Sequence, residues 1–211
     1  MNANRHRQIF NALVKKYGAD AVPSPGFLRV EQELKNSTGT YRFPIDTQSG
    51  AQATEQKLDR NDLFVVTDLA FYLLMEDSTK LGLAIPQTYP NEVAFAAVAG
   101  FTPGHLEAIY NGKFSLKIQS KVNIEAMSMH HFRYVPETQQ SAAANKSEFS
   151  LDRAAYPLGS LLYLKGTMDV EVKVEFNTFD GIQIQAVAAA TKNKLIFHPY
   201  GYLIKGKALS A

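Results

Sequence analysis

Polar and apolar positions alternate most clearly at 113–126. Phe114, Leu116, Ile118, Val122, Ile124 and Ala126 hold the even positions; Lys113, Ser115, Lys117, Gln119, Lys121, Asn123 and Glu125 hold the odd ones. A period of two places one set against a core and the other in water, as in a half-buried strand. At roughly 3.3 Å per residue, one strand over this run would reach about 40 Å, well beyond the usual length. The phase then slips, with Met127 and Met129 odd but Phe132 and Tyr134 even, which predicts a bulge or tight bend. Residues 170–176 alternate cleanly, with Val170, Val172, Val174 and Phe176 on one face. Asp180 and Gly181 mark a turn, so 182–189 reads as the return strand of a hairpin. Residues 195–204 form a last apolar strand, in which Pro199 and Gly201 indicate a bend or an edge position.

Residues 63–75 are continuously apolar. Periodicity does not separate a buried strand from a helix here, but Val65, Val66, Thr67, Phe71 and Tyr72 favour a strand. Asp68 is the odd residue in this run. It ends a strand, faces solvent, or is hydrogen-bonded in the interior. Shorter extended stretches lie at 27–34 and 40–45, read as a hairpin turning at 36–39, and at 92–98 and 161–164. Residues 46–60, 76–91 and 137–150 read as loops.

Two segments have helical spacing. In 4–17 Asn4 can cap the start, Ile9, Leu13 and Tyr17 form a stripe with Phe10 and Val14, and Gly18 is a stop. Residues 102–110 form a second, short helix, with Thr102 as cap, Pro103 in the first position and Asn111-Gly112 as the stop. The tally is nine or ten strands, two short helices and several long loops. It predicts an all-β fold, a sandwich or barrel, and the long loops favour a jelly-roll-like arrangement over an up-and-down meander. The expected organisation is a helical arm over residues 1–18 and one β-sandwich domain over 19–211.

Composition refines this picture in two ways. The 211 residues are 45% hydrophobic and 11% aromatic, enough for a sizeable core. Cysteine is absent, which excludes disulfides, thiol chemistry and cysteine-ligated zinc. No run has the length needed to cross a bilayer as a helix, and the start of the chain lacks an apolar signal-peptide core, so synthesis in the cytoplasm is the expectation. The net charge of +2 is unevenly placed: residues 1–18 carry Arg5, Arg7, Lys15 and Lys16 with no acid. Lys15 and Lys16 suit the end of a helix, whereas Arg5 and Arg7 in its first turn oppose the helix dipole. These four cations are the candidate residues for binding a partner that carries phosphate, in nucleic acid or in lipid headgroups. The alternative is an ordinary solvated helix face.

Catalytic signals are weak. His130 and His131 are adjacent and would point to opposite faces of a strand, one in the core and one outside, so they do not share a metal. A cupin-like metal set would need His-x-His spacing, which is absent. Asp59-Arg60-Asn61-Asp62 begins like a calcium loop but lacks its central glycine and distal glutamate. There is no nucleophile elbow and no glycine-rich phosphate loop. No enzyme activity, cofactor or metal is expected. Tyr41, Phe43, Tyr134, Tyr200 and Tyr202 could form an aromatic binding surface, but with 23 Phe and Tyr in the chain they read as packing residues.

Several strings carry a resemblance: LDRNDLFVVTDLAFYLL (58–74), QTYPN (87–91), LEAIYNGKFSLKI (106–118), FRYVPETQ (132–139) and YGYLIKG (200–206). The chain resembles capsid and other virion proteins of small tailless icosahedral bacteriophages, including lipid-containing ones. The resemblance implies a jelly-roll shell subunit in the virion, made in the host cytoplasm. Its partners would be copies of itself, other virion proteins, and the genome or an internal membrane met through the N-terminal arm. A length of 211 residues is short for a double jelly roll. A single jelly roll, a compact double one and a minor vertex or spike protein all remain open. The alternative is a lectin-like β-sandwich that binds carbohydrate or another ligand.

Overall fold

The structure, a computed structural model, describes residues 3–18, 21–45, 58–79, 84–91, 94–95, 105–135 and 155–207. In chain order the elements are helix α1 (Ala3–Tyr17), strands β1 (Ser24–Phe27), β2 (Val30–Glu33), β3 (Thr40–Arg42) and β4 (Leu63–Asp77), helix α2 (Glu107–Tyr110), strands β5 (Lys113–Ile118) and β6 (Lys121–Ser128), a 3-10 turn (Met129–Phe132), and strands β7 (Tyr156–Lys165), β8 (Val170–Glu175) and β9 (Thr191–Ile204). The fold is an all-β sandwich. One sheet runs β1/β2–β9–β4–β7 and the other β3–β8–β5–β6. Every neighbouring pair is antiparallel.

The pairing follows one rule. Count β1 and β2 as a single interrupted strand, and the described strands number eight. The first pairs with the last (β1/β2 with β9), the second with the seventh (β3 with β8), the third with the sixth (β4 with β7), and the fourth with the fifth (β5 with β6). Successive rungs of this long hairpin fall in alternate sheets. The contacts β4–β9 and β5–β8 then join the rungs within each sheet.

The continuous apolar run at 63–75 becomes β4, buried on both faces from Leu63 to Leu74. Phe71 stands at the middle of the core. Its ring lies 4.9 Å from Phe132, 5.2 Å from Phe114 and Phe197, and 6.0 Å from Phe43, so it joins both sheets. Edge-to-face and tilted aromatic pairs add to the area such rings remove from water.

The alternating run at 113–126 is not one strand. It turns back at Gln119-Ser120, with Gln119 at φ 55°, and forms the β5–β6 hairpin. A two-residue turn inverts the phase and the extra residue in β6 restores it, so the alternation of the sequence reads as one strand and does not reveal the reversal. In β6 the pairings Lys117 with Val122 and Leu116 with Ile124 leave an extra residue between them. Val122 precedes that residue, shares the face of its partner Lys117 and is exposed, although it lies in the apolar phase of the sequence. The expected bulge near the phase slip is present, with Ala126 at φ 50° and a second register shift beside it.

Two expected hairpins are absent. β2 and β3 pair with β9 and β8 respectively, so the turn at 35–38 carries the chain from one sheet to the other. After β8 the Asp180-Gly181 turn is present, with Gly181 at φ 81°, but 182–189 does not return as a strand. Side-chain amides hold it instead: the Asn36 carbonyl oxygen accepts from the amides of Ile184 (2.8 Å) and Gln185 (2.9 Å), and Asn193 donates to the Ile184 carbonyl (3.0 Å).

β9 is a central strand, not an edge. Pro199 is accommodated because it faces the break between β1 and β2, where its missing N–H is not needed and its carbonyl accepts from the Leu28 N–H (3.0 Å). Gly201 lies against the β4 bulge, and a Cβ there would stand 1.9 Å from the Val65 carbonyl oxygen. His130 and His131 lie on the 3-10 turn, not on a strand, and both are exposed. The short helix expected at 102–110 is described only as Glu107–Tyr110, and most of the expected strand at 92–98 lies outside the described residues, as do 46–57 and 137–150.

Phe71→Ala should lower unfolding free energy by about 3–5 kcal/mol. Gly201→Ala should lower it by at least about 3 kcal/mol, because the added methyl meets backbone that cannot move aside without breaking the ladder. Both are checked by urea denaturation.

Candidate functional site

The alternation of β4 and β9 gives the first sheet a second apolar face, directed away from the other sheet. Leu63, Val65, Ala70, Tyr72 and Leu74 of β4 lie on it, with Ile196, Tyr200, Tyr202 and Ile204 of β9. One half of this face is covered by α1. Leu13 and Tyr17, flanked by Ile9 and Phe10, pack on Leu63, Val65, Leu161, Tyr163, Tyr202 and Ile204. The amphipathic stripe read from the sequence is therefore buried against the sandwich itself.

A polar anchor lies at the N-terminal end of this contact. Between Val66 and Asp68 the register of β4 shifts against both β9 and β7, leaving Thr67 outside the ladder. Over the same step the β7 partner moves from Leu162 to Pro157, which leaves Leu158 outside as well. Arg5 fills the gap. It donates to the Asp68 carboxylate (3.1 Å) and to the carbonyls of Thr67 (2.9 Å) and Leu158 (2.8 Å). Asp68 is only 4% exposed, so its charge would be costly without this guanidinium. His6 lies beside the pair, with Nε2 3.4 Å from Asp68 and Nδ1 3.3 Å from the Tyr202 hydroxyl. The Tyr202 hydroxyl donates to the His6 carbonyl (3.2 Å). Burial holds the His6 pKa below its ordinary value, against the pull of Asp68, and raises that of Tyr202.

The four cations of the arm thus divide. Arg5 is turned into the fold. Lys16 lies over the rings of Tyr163 (4.6 Å) and Tyr17 (5.1 Å). Arg7 and Lys15 are exposed, on a helix surface that carries no acid. Sequence reasoning treated Asp68 and Arg5 as two unrelated oddities, an acid in an apolar strand and a cation at the wrong end of a helix. Each is the partner of the other. The two anomalies taken together were the available signal; nothing pointed to His6 or Tyr202.

Further along the same face, His198 is packed among aromatic rings. Phe27 stacks on it at 4.7 Å, Tyr200 lies at 4.5 Å and Tyr72 at 5.6 Å. The Tyr72 and Tyr200 hydroxyls are 2.9 Å apart. Burial, with Arg29 nearby, pushes the His198 pKa down to about 4. The outer face of the second sheet is different: Arg42 pairs with Glu171, Lys173 pairs with Glu175, and Lys113 and Lys117 are exposed. That face is solvated and of mixed charge.

The sheet edges are blunted. β1 and β2 are interrupted and contain Pro25, β3 has three residues, β6 has two register shifts, and β7 contains Pro157 and a shift. These are devices that oppose strand addition. Among the described residues no group of three or more His, Asp or Glu could hold a metal ion, and no helix is long and apolar enough to cross a membrane. No family model, no curated protein and no solved structure matches the chain.

Arg5→Ala should destabilise the protein by about 2–4 kcal/mol, because Asp68 and two carbonyls lose their donor together. Arg5→Lys should restore little of this, since one ammonium lacks the planar fork that reaches three acceptors. Urea denaturation measures both.

His198 gives a pH dependence of definite sign. Its folded pKa lies below the unfolded value, so the unfolded chain binds more protons between about pH 6.5 and 4. Stability is complete above that window and falls as pH drops through it, by at most about 3 kcal/mol. His198→Phe should flatten thermal stability between pH 6.5 and 4.5 relative to the parent; an unchanged slope would assign the dependence to other groups.

Proposed function

We propose that the chain is a jelly-roll subunit of a viral shell, of the kind built by tailless icosahedral bacteriophages, and that it acts by assembling with copies of itself. The observation that carries this reading is the pairing rule: first strand with last, second with seventh, third with sixth, fourth with fifth, in two sheets. Such pairing is what a double-sheet jelly roll requires, an architecture common in capsid proteins, and it supports this reading.

Two further features support an assembly role. The edges resist strand addition, so neighbouring copies would meet through faces and loops, where symmetry can close a shell. The exposed cations Arg7, Lys15 and Lys16 give one surface a positive field suited to a genome or an anionic membrane inside that shell. Arg5 takes no part in that surface, because Asp68 already occupies it.

Light scattering after size exclusion, with negative-stain microscopy over a range of salt, tests the reading. Rings, capsomers or closed particles are expected; a 23.4 kDa monomer under every condition would sink it. The double variant Arg7→Glu, Lys15→Glu should leave the melting temperature unchanged. It should lower the salt slope of any nucleic-acid binding by about two, one for each phosphate left without its cation.

A further inference from the structure

The helix covers half of the outer face of the first sheet, the apolar residues of the other half are buried as well, and breaks, prolines and bulges blunt the edges. One end of the sandwich is different. There a groove of about 720 Å³ opens between the start of β3, the turn after α2 and the segment after β8. Gly39 and Gly112 bring these three segments together. A Cβ on Gly39 would stand 2.7 Å from the Phe176 carbonyl oxygen, and one on Gly112 would stand 2.5 Å from that of Glu175. The walls are tied by backbone hydrogen bonds, Phe176 N–H to Gly39 (2.9 Å), Gly112 N–H to Ile109 (3.0 Å) and Met129 N–H to Gly112 (3.0 Å). The groove is therefore formed in advance and not assembled around a ligand.

Its lining has a specific chemistry. Asn111 and Asn177 supply two amides, Thr40 and Thr178 two hydroxyls, and Lys113 and Glu175 one charge of each sign. Glu175 is also paired with Lys173 at 3.0 Å. The lining itself carries one charge of each sign and no net charge. Phe179, the residue after Thr178, is 50% exposed. Its ring is propped edge-on against His105 at 5.0 Å and 61°. His105 is itself fixed, because its Nδ1 accepts from the Gln183 amide at 3.0 Å.

Amides, hydroxyls and one acid, with a held, exposed aromatic ring on the residue that follows the groove's Thr178, match one class of ligand. A neutral sugar offers hydroxyls that both donate and accept, and an apolar C–H face that packs on a flat ring. We propose that this end groove binds a neutral oligosaccharide, with Asn111 and Asn177 hydrogen-bonding its hydroxyls and Phe179 packing on its apolar face. The groove would give the subunit a contact with cell-surface glycan independent of shell assembly.

The test uses the full chain and saturation-transfer NMR with four probes: maltotriose, mannotriose, N-acetyllactosamine and N-acetylchitotriose, with 3′-sialyllactose as a charged comparison. At least one neutral probe should bind with a dissociation constant of roughly 1 mM or tighter, about 4 kcal/mol. Asn111→Ala with Asn177→Ala should weaken that binding at least about tenfold, and Phe179→Ala at least about fivefold. Lys117→Ala, on the open face of the second sheet, should leave it unchanged. All these residues are exposed, so the variants should keep the parent melting temperature. Failure of all four neutral probes overturns the proposal, as does binding confined to the sialylated probe or binding that survives loss of Asn111, Asn177 and Phe179. A shell that forms without sugar binding would reject the groove alone; sugar binding by a permanent monomer would reject the shell alone.

Discussion

One guanidinium holds the molecule's two layers of organisation together. The long central strand β4 cannot run straight: between Val66 and Asp68 it bulges against both of its neighbours. A bulge inside a sheet releases backbone groups that water would satisfy at a surface but that have no partner here. Arg5 supplies the donors, and Asp68 neutralises the cation. In return the bulge fixes where α1 lies, and α1 covers the apolar half-face that β4 and β9 would otherwise expose. The opposite side of the same bulge is closed by Gly201, where no larger residue fits. Helix, bulge and glycine are parts of a single constraint.

The sandwich has two unlike outer surfaces as a result. One is apolar and already occupied along half its length by the chain's own helix. The other is a solvated grid of lysine, arginine and glutamate. With the edges blunted, association has to use loops, the helix surface or the charged face, and such contacts respond to salt more than to temperature. The polar groove at one end shares Lys113 and Glu175 with the rim of the charged face.

The sequence displayed most of the strands and little of their partnership. Alternation located β5, β6 and β8, and uninterrupted hydrophobicity located β4, because burial on one face or on two leaves a direct trace in residue type. It did not show that Gln119-Ser120 is a turn: Gln119 is not a turn marker, and the extra residue in β6 restores the parity that a two-residue reversal inverts. It read Pro199 and Gly201 as marking a bend or an edge, and β9 is no edge. Both fit a central strand because the irregularities they require sit in the neighbouring strands, the break between β1 and β2 and the bulge of β4. Asn36 was legible as a turn residue, but not as the amide that holds 183–185, 148 residues further along to Ile184. The anchor was half visible, in that Arg5 and Asp68 each violated a local rule. The end groove was not visible at all, since its residues come from three distant segments and none is unusual where it stands.

The position of β9 has a consequence for how the protein comes into being. Of the described strands it is the last to leave the ribosome, yet it lies at the centre of its sheet, with β4 on one side and β1 and β2 on the other. Until residue 204 is free, β4 lacks its longest neighbour, β1 and β2 have none, and Tyr202 and Ile204 are missing from beneath α1. The nascent chain must wait, with its most apolar strand unmatched, and then close across a separation of more than a hundred residues. Such closure is slow and leaves hydrophobic surface open in the interval. Translation therefore sets the clock: the first sheet cannot close before synthesis has passed β9.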